Sequence, residues 1–275
     1  MKKLGTQASC ALFILFMIVA MSIFAPALAT HNPFEPNIAQ RLQGPSLNHF
    51  FGTDSLGRDM YSRILFGGRI SMLLSLIAAI LSLGIGAIVG ILCGYYKGLT
   101  DTVFTSITAI FQGIPSNCFM IAIAGIMGPD IKSLIFALVI TSWSGFSRIV
   151  RAEVLQIKEE PFIEGLLCIG CSDWQIITKH ILKNLINRLL ILFTIRVGRG
   201  VLAISGLSFL GLGVQPPYPD WSVMINDAMM FYRSYPHTML IPGIFIFLLV
   251  YSINIIGDEL RDKLDIHNKE ARSWD

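Results

Sequence analysis

Ile70–Tyr95 reads ISMLLSLIAAILSLGIGAIVGILCGY. The stretch carries no Asp, Glu, Lys, Arg or His and exceeds the roughly 20 apolar residues a helix needs to cross a bilayer. Gly86, Gly90 and Gly94, continued by Gly98, recur at every fourth position. That spacing predicts one bare helical face on which a neighbouring helix can come close. It lacks the G-x-G-x-x-G order of a nucleotide loop.

Five further apolar runs accompany this one, at roughly Cys10–Ala29, Val103–Met127, Ile131–Val150, Leu185–Leu210 and His237–Gly257. The chain is 53% hydrophobic and 14% charged, where a soluble domain carries about 25% charge. The expected fold is all-α: a polytopic membrane protein with six transmembrane helices. Its plan is a short N-terminus (1–9), a first helix (10–29), a polar loop (30–69), a five-helix core (70–257) that holds a charged loop at 151–184, and a tail (258–275). Met1-Lys2-Lys3, the run that follows and Ala27-Leu28-Ala29 also have the layout of a secretory signal. The spanning length of the run favours a retained helix. With the N-terminus inside, thirteen of the 21 Lys and Arg fall in inner segments and six in outer ones. This bias places both termini and the charged loop in the cytoplasm. The net charge of +3 then reflects topology and offers no case for nucleic-acid binding.

Polar residues inside the runs mark candidate sites. Gly113-Ile114-Pro115 interrupts the third run beside Gln112, Ser116 and Asn117, since proline removes a backbone donor. A helix lining a wet path and a simple packing kink are both open. Arg196 and Arg199 sit three apart in the fifth run, on one helical face. A charge at the bilayer centre costs roughly 3 kcal/mol, so these two should meet a cavity or a partner. Pairing with acidic groups of another chain, a pore for carboxylate-bearing cargo, and a position nearer the interface all remain open. Gln112, Asn117, Arg196 and Arg199 form the candidate pore-lining set. Cys168-Ile-Gly-Cys171 has C-x-x-C spacing but no second pair, and packing is the plainer reading. The five His are scattered. No phosphate loop, H-E-x-x-H or G-x-S-x-G occurs, so no catalytic residue, no metal site and no cofactor is expected in this chain.

Lys158–Asn184 is a charged island between two apolar runs. Pro161 can start a helix. Phe162, Leu166 and Ile169 give it an apolar stripe. Gly170 breaks it, Ser172-Asp173 can cap a second helix, and Trp174, Ile177 and Ile181 form a second stripe. Such a bracket suits an interfacial anchor or a seat for a soluble protein. Its few basic residues count against a role in lipid binding alone.

Glu164-Gly165-Leu166, Gly170 and the His180–Asn184 stretch together resemble the E-A-A-x-x-x-G loop of ABC importer permeases. Gly52-Thr-Asp-Ser-Leu-Gly-Arg-Asp59 with Ser62-Arg63, Leu207–Pro217, and Gly257–Asp262 with Leu264-Asp265 match the same family in order. More specifically, the chain resembles the second permease subunit of the dipeptide, oligopeptide and nickel importers. The chain departs from the family pattern at Gly165 and Leu166 in place of two alanines, at Lys183 in place of a proline, and at Ser222 in place of a glycine. The resemblance implies an inner-membrane, multi-pass permease, not itself an enzyme, that forms half of a translocation pore for peptides or for nickel or a related chelated metal. It implies as partners a second permease, two ATP-binding subunits that hold ATP and Mg, and an extracytoplasmic substrate-binding protein. It makes Glu164, Gly165, Leu166, Gly170, Asp173 and His180 the residues that couple to the ATPase. An ion-coupled carrier would need intramembrane carboxylates, which the runs almost lack, and a non-transporting scaffold predicts no change of flux on deletion. Trp221–Ala228 resembles nickel-type members in a few residues.

Overall fold

The computed structural model describes residues 5–272, with side chains to residue 264. Lys2 and Lys3 lie outside the described residues, as do the side chains of Asp265, Lys269 and Arg272. Among the described residues the regular structure is helical, with one isolated bridge between Thr53 and Asp59. Helix α1 (Thr6–Ile23) and the short α2 (Ala25–Leu28) are separated at Phe24, with Pro26 in the first turn of α2.

The centre of the fold is α3 (Met60–Tyr96) against α6 (Ile131–Lys158). A Cβ on Gly86 would lie 2.4 Å from Cβ of Phe146, one on Gly90 2.7 Å from the Ser147 carbonyl, and one on Gly94 2.7 Å from Cβ of Val154. The bare face is therefore real and belongs to α6. Gly98 is not part of it. It has φ +61° with nothing within 4 Å of a built Cβ and makes the turn into α4 (Gly98–Gly113), a conformation that costs other residues about 1 kcal/mol or more.

Several expected boundaries shift. The first loop ends at Asp59 and not at Arg69, because Asp59 caps α3 by accepting from the Ser62 amide at 2.8 Å. Arg63, which reads as a loop charge, is buried in α3, donates to the Pro33 carbonyl at 3.3 Å and lies 3.4 Å from Asp54. Proline does more than kink the third run, for α4 and α5 (Ser116–Met127) meet at 87°. Among the described residues five single helices are long and apolar enough to span, Thr6–Ile23, Met60–Tyr96, Ile131–Lys158, Asp173–Phe209 and His237–Leu264, and the bent pair α4–α5 passes the same test only when its two helices are taken together as one span.

The bracket begins with α7 (Pro161–Cys168). Its second half is not a separate helix. α8 (Asp173–Gln175) runs through a π-helical turn at Ile176–Ile181 into α9 (Leu182–Phe209). Lys183, unlike a proline, keeps the N–H that such continuity needs. After α10 (Trp221–Ala228), α11 (His237–Arg272) extends past Gly257, so residues 258–272 continue the last helix.

Two ends of the bundle result. Arg58 in the first loop reaches Asp227 of α10 at 3.2 Å, so residues 30–59 and 210–236 share one end. Tyr95 donates its hydroxyl to Asp173 at 2.7 Å at the other, which carries the bracket. A Cβ on Gly5 would lie 3.6 Å from Oε2 of Glu259, so the start of α1 and the late part of α11 are neighbours.

Candidate functional site

A cavity of about 250 Å³ lies between α3, α5, α6 and α9. Arg196 and Arg199 enter it from α9, Ser116 and Asn117 from the start of α5, Thr141 and Ser142 from α6 and Ser82 from α3. The near-right angle at Ile114-Pro115 brings the polar start of α5 inward. Its lining contains no Asp or Glu. The Arg196 guanidinium lies over the Phe146 ring, 4.9 Å from its centre, and close to Gly145, where a Cβ would be 2.6 Å from Nη2. Among the described residues neither arginine has a carboxylate at ion-pair distance.

Gln112 stands apart from the other three pore candidates. It lines a second cavity of about 480 Å³, with Thr105, Thr108, Arg148 and Arg151. Its amide donates to the Ser144 carbonyl at 3.2 Å and accepts from Arg148 at 2.9 Å. Arg151 is spent on Asp101, with Nη2 2.6 Å from Oδ2. Asn117, Arg196 and Arg199 thus share one chamber, and Gln112 sits in the next.

The bracket is half buried and half bare. Ile163, Ile176 and Ile181 are buried with Tyr95, Val154 and Leu185, and Leu166 and Ile177 pack against them. Phe162, Leu167, Ile169 and Trp174 are exposed, Trp174 to 74%. The two predicted stripes are therefore split: Leu166, Ile177 and Ile181 face the bundle, whereas Phe162, Ile169 and Trp174 do not. Gly170 takes φ +81° between the helices, and Ser172 and Gln175 form a reciprocal cap. Glu164, Gly165 and Gly170 are exposed, Asp173 holds the Tyr95 hydroxyl, and the ring of His180 lies 6.4 Å from that of Phe162. Of the C-x-x-C pair, Cys171 packs against this core and Cys168 is exposed, so packing explains only one of them.

The opposite end is closed by polar bonds. Asp54 accepts from the Arg58 side chain at 2.6 Å and from its amide at 2.9 Å, and Arg58 also reaches Asp227. Asp220 is fully buried, accepting from Ser71 at 2.8 Å and from the Ser222 amide at 2.9 Å. Burial pushes its carboxyl up, against the pull of these donors. The indole N–H of Trp221 donates to the Ile64 carbonyl at 2.9 Å, and the ring fills the space left by Gly67 and Gly68. One expectation fails here. His31 and His49 are not scattered: their ring centres are 4.6 Å apart, beside Asp59. Seventeen residues of mostly irregular chain separate the two histidines, and no motif spacing announces that they meet.

Residues 86–265 match the family described as Binding-protein-dependent transport system inner membrane component. The chain is 38% identical over 263 residues, 96% of this chain and 86% of the relative, to a protein of Alkalihalophilus pseudofirmus named dipeptide transport system permease protein DppC. It is 37% identical over 255 residues, 92% of this chain and 84% of the relative, to one of Pectobacterium atrosepticum named glutathione transport system permease protein GsiD. Among solved structures, an inward-facing MetNI methionine ABC transporter chain superposes with TM-score 0.61 at 20% identity, over 73% of this chain and 95% of that one. The last likeness concerns the fold alone.

Proposed function

The chain belongs to the family of binding-protein-dependent transport system inner membrane components and is an inner-membrane permease subunit of an ABC importer; from that premise we propose that its cargo is a short peptide, gripped by its carboxylate at Arg196 and Arg199. The observation that carries this reading is the pair of guanidinium groups in a cavity whose lining has no Asp or Glu. Unpaired cations at membrane depth are costly, and guanidinium binds carboxylate through two parallel hydrogen bonds. Asn117, Ser116 and Thr141 add neutral donors and acceptors suited to a peptide backbone. The relatives named for dipeptide and for glutathione transport handle molecules that bear carboxylates. A free metal cation such as nickel would be repelled by the same two charges.

The remaining parts of the transporter are supplied by other chains. A second permease completes the pore, two ATP-binding subunits hold and hydrolyse ATP with Mg, and a substrate-binding protein delivers cargo at the end formed by residues 30–59 and 210–236. The bracket is the seat for an ATPase: Phe162, Leu167, Ile169 and Trp174 offer an apolar face, Gly170 sets its angle, and Glu164, Gly165, Leu166, Asp173 and His180 surround it. Both chain ends then lie in the cytoplasm with the bracket, in keeping with the Lys and Arg bias. Uptake in a deletion strain tests the cargo, comparing labelled dipeptides with labelled nickel, with and without a chelator. Loss of dipeptide uptake with unchanged nickel uptake is expected. Intact dipeptide uptake with loss of chelator-dependent nickel uptake would replace the peptide by a metal complex.

A further inference from the structure

Three side chains from separate parts of the first loop converge at the head of α3. His31 follows α2, His49 precedes the turn at Gly52, and Asp59 caps α3. Nδ1 of His49 lies 2.9 Å from Oδ1 of Asp59, and Nδ1 of His31 lies 3.9 Å from the same oxygen. One ligand atom from each falls within 4.8 Å of the others. The other carboxylate oxygen is already engaged: Oδ2 accepts from the Ser62 amide at 2.8 Å, the Ser62 hydroxyl at 2.7 Å and the Thr30 hydroxyl at 3.5 Å. Oδ1 is left to the two imidazoles.

His49 has an acceptor at each ring nitrogen. Nε2 faces Oε1 of Gln40 at 3.3 Å, and that oxygen also accepts from Asn37 at 3.1 Å. A neutral imidazole has one N–H. With Nε2–H donating to Gln40, the lone pair of Nδ1 faces a carboxylate oxygen 2.9 Å away, and a cation bound beside both atoms satisfies the pair; with the Gln40 amide turned over, Nδ1–H would donate to Asp59 instead. The His49 and Asp59 side chains are 5% and 0% exposed, so water does not satisfy the pair. His31, 43% exposed, offers the third nitrogen from the solvent side. The group opens on a cavity of about 320 Å³ that Glu35 also lines.

We propose that His31, His49 and Asp59 form a binding site for a divalent first-row transition ion of the zinc class. Two imidazoles and a carboxylate with room for a further ligand suit such an ion. The Nε2–H bond of His49 to Gln40 fixes its tautomer in the manner of an outer-shell partner. The bound ion ties the exit of α2 and the middle of the first loop to the cap of α3. It therefore fastens the same loop that Arg58 ties to Asp227.

The test uses the assembled transporter, purified on an affinity tag free of histidine, with zinc chloride alone as the probe. Metal content after dialysis and calorimetric titration are read for wild type, His31→Ala and the double variant His31→Ala/His49→Gln. Asp59 is left intact because it caps α3, and the exposed His31 can be truncated with the fold preserved. One zinc per chain is expected in wild type, with affinity weakened about tenfold or more in His31→Ala and no binding at this site in the double variant. Absence of zinc binding in wild type overturns the proposal, and so does zinc retained equally by all three proteins.

Discussion

The two ends of this bundle solve the same problem differently. At the end formed by residues 30–59 and 210–236, polar groups are matched within the chain: Arg58 with Asp54 and Asp227, Asp220 with Ser71, and the Trp221 indole with the Ile64 carbonyl. The bracket end has ties of its own, Tyr95 with Asp173, Arg151 with Asp101 and Arg188 with Glu153, but they lie in the bundle behind the bracket and leave its outer face free. There Phe162, Ile169 and Trp174 are left bare. The matched polar groups of the first end point to a part in stability, although Leu47 and Met230 are bare there too; the aromatic and aliphatic face at the bracket is the one we propose an ATPase covers. Residues at the first end should therefore act through stability and residues at the second through assembly and transport.

The largest effect should come from Trp221→Ala. It removes a buried ring and leaves the space beside Gly67 and Gly68 empty, at a cost of about 3–5 kcal/mol. Heat or denaturant unfolding in detergent measures it, and a loss below about 1 kcal/mol would mean that this end is not held by its packing. Gly170→Val is the matching change at the bracket. Its φ of +81° makes a β-branched residue cost about 1–2 kcal/mol. Membrane insertion should be normal and uptake lost, whereas normal uptake would remove Gly170 from the coupling path.

Smaller effects sharpen the contrast. Burial pushes the Asp227 carboxyl up, and Arg58 and Arg63 pull it down without cancelling the rise. A carboxyl raised in the folded state stabilises fully below its unfolded value and loses that contribution as pH climbs through the folded one. Asp227→Asn should therefore gain on wild type as pH rises above about 4, read as a difference of melting temperatures across pH. A difference that does not change with pH would contradict this. The smallest change in stability is expected for Trp174→Ala, within about 0.5 kcal/mol because the ring is exposed, yet recovery of the ATP-binding subunits on purification should fall sharply. Undiminished recovery would take Trp174 out of the docking face.

Much of the fold was legible because its signals are local. Apolar runs mark the spanning helices and glycines at every fourth residue mark a close helix contact without any distant information, though not that α6 makes it. Pro115 marks a break, but not its angle, which depends on what α5 packs against. The start of α3 was hidden for a tertiary reason: Arg63 reads as loop charge until the fold buries it in α3 against Asp54 and the Pro33 carbonyl, 30 positions away. The bracket stripes were misphased since half of its apolar residues are exposed and do not pack on the bundle, and periodicity cannot tell these apart. His31 and His49 were invisible as a pair because irregular chain, with no repeat, brings them together.

Transport by the complete complex in proteoliposomes bears most directly on how the cavity works, comparing a labelled dipeptide with its C-terminal amide in wild type and in Arg196→Gln/Arg199→Gln. Faster transport of the free acid is expected in wild type, with the preference abolished in the double variant. Equal rates for acid and amide in wild type, or a preference that survives loss of both arginines, would contradict carboxylate recognition by this pair.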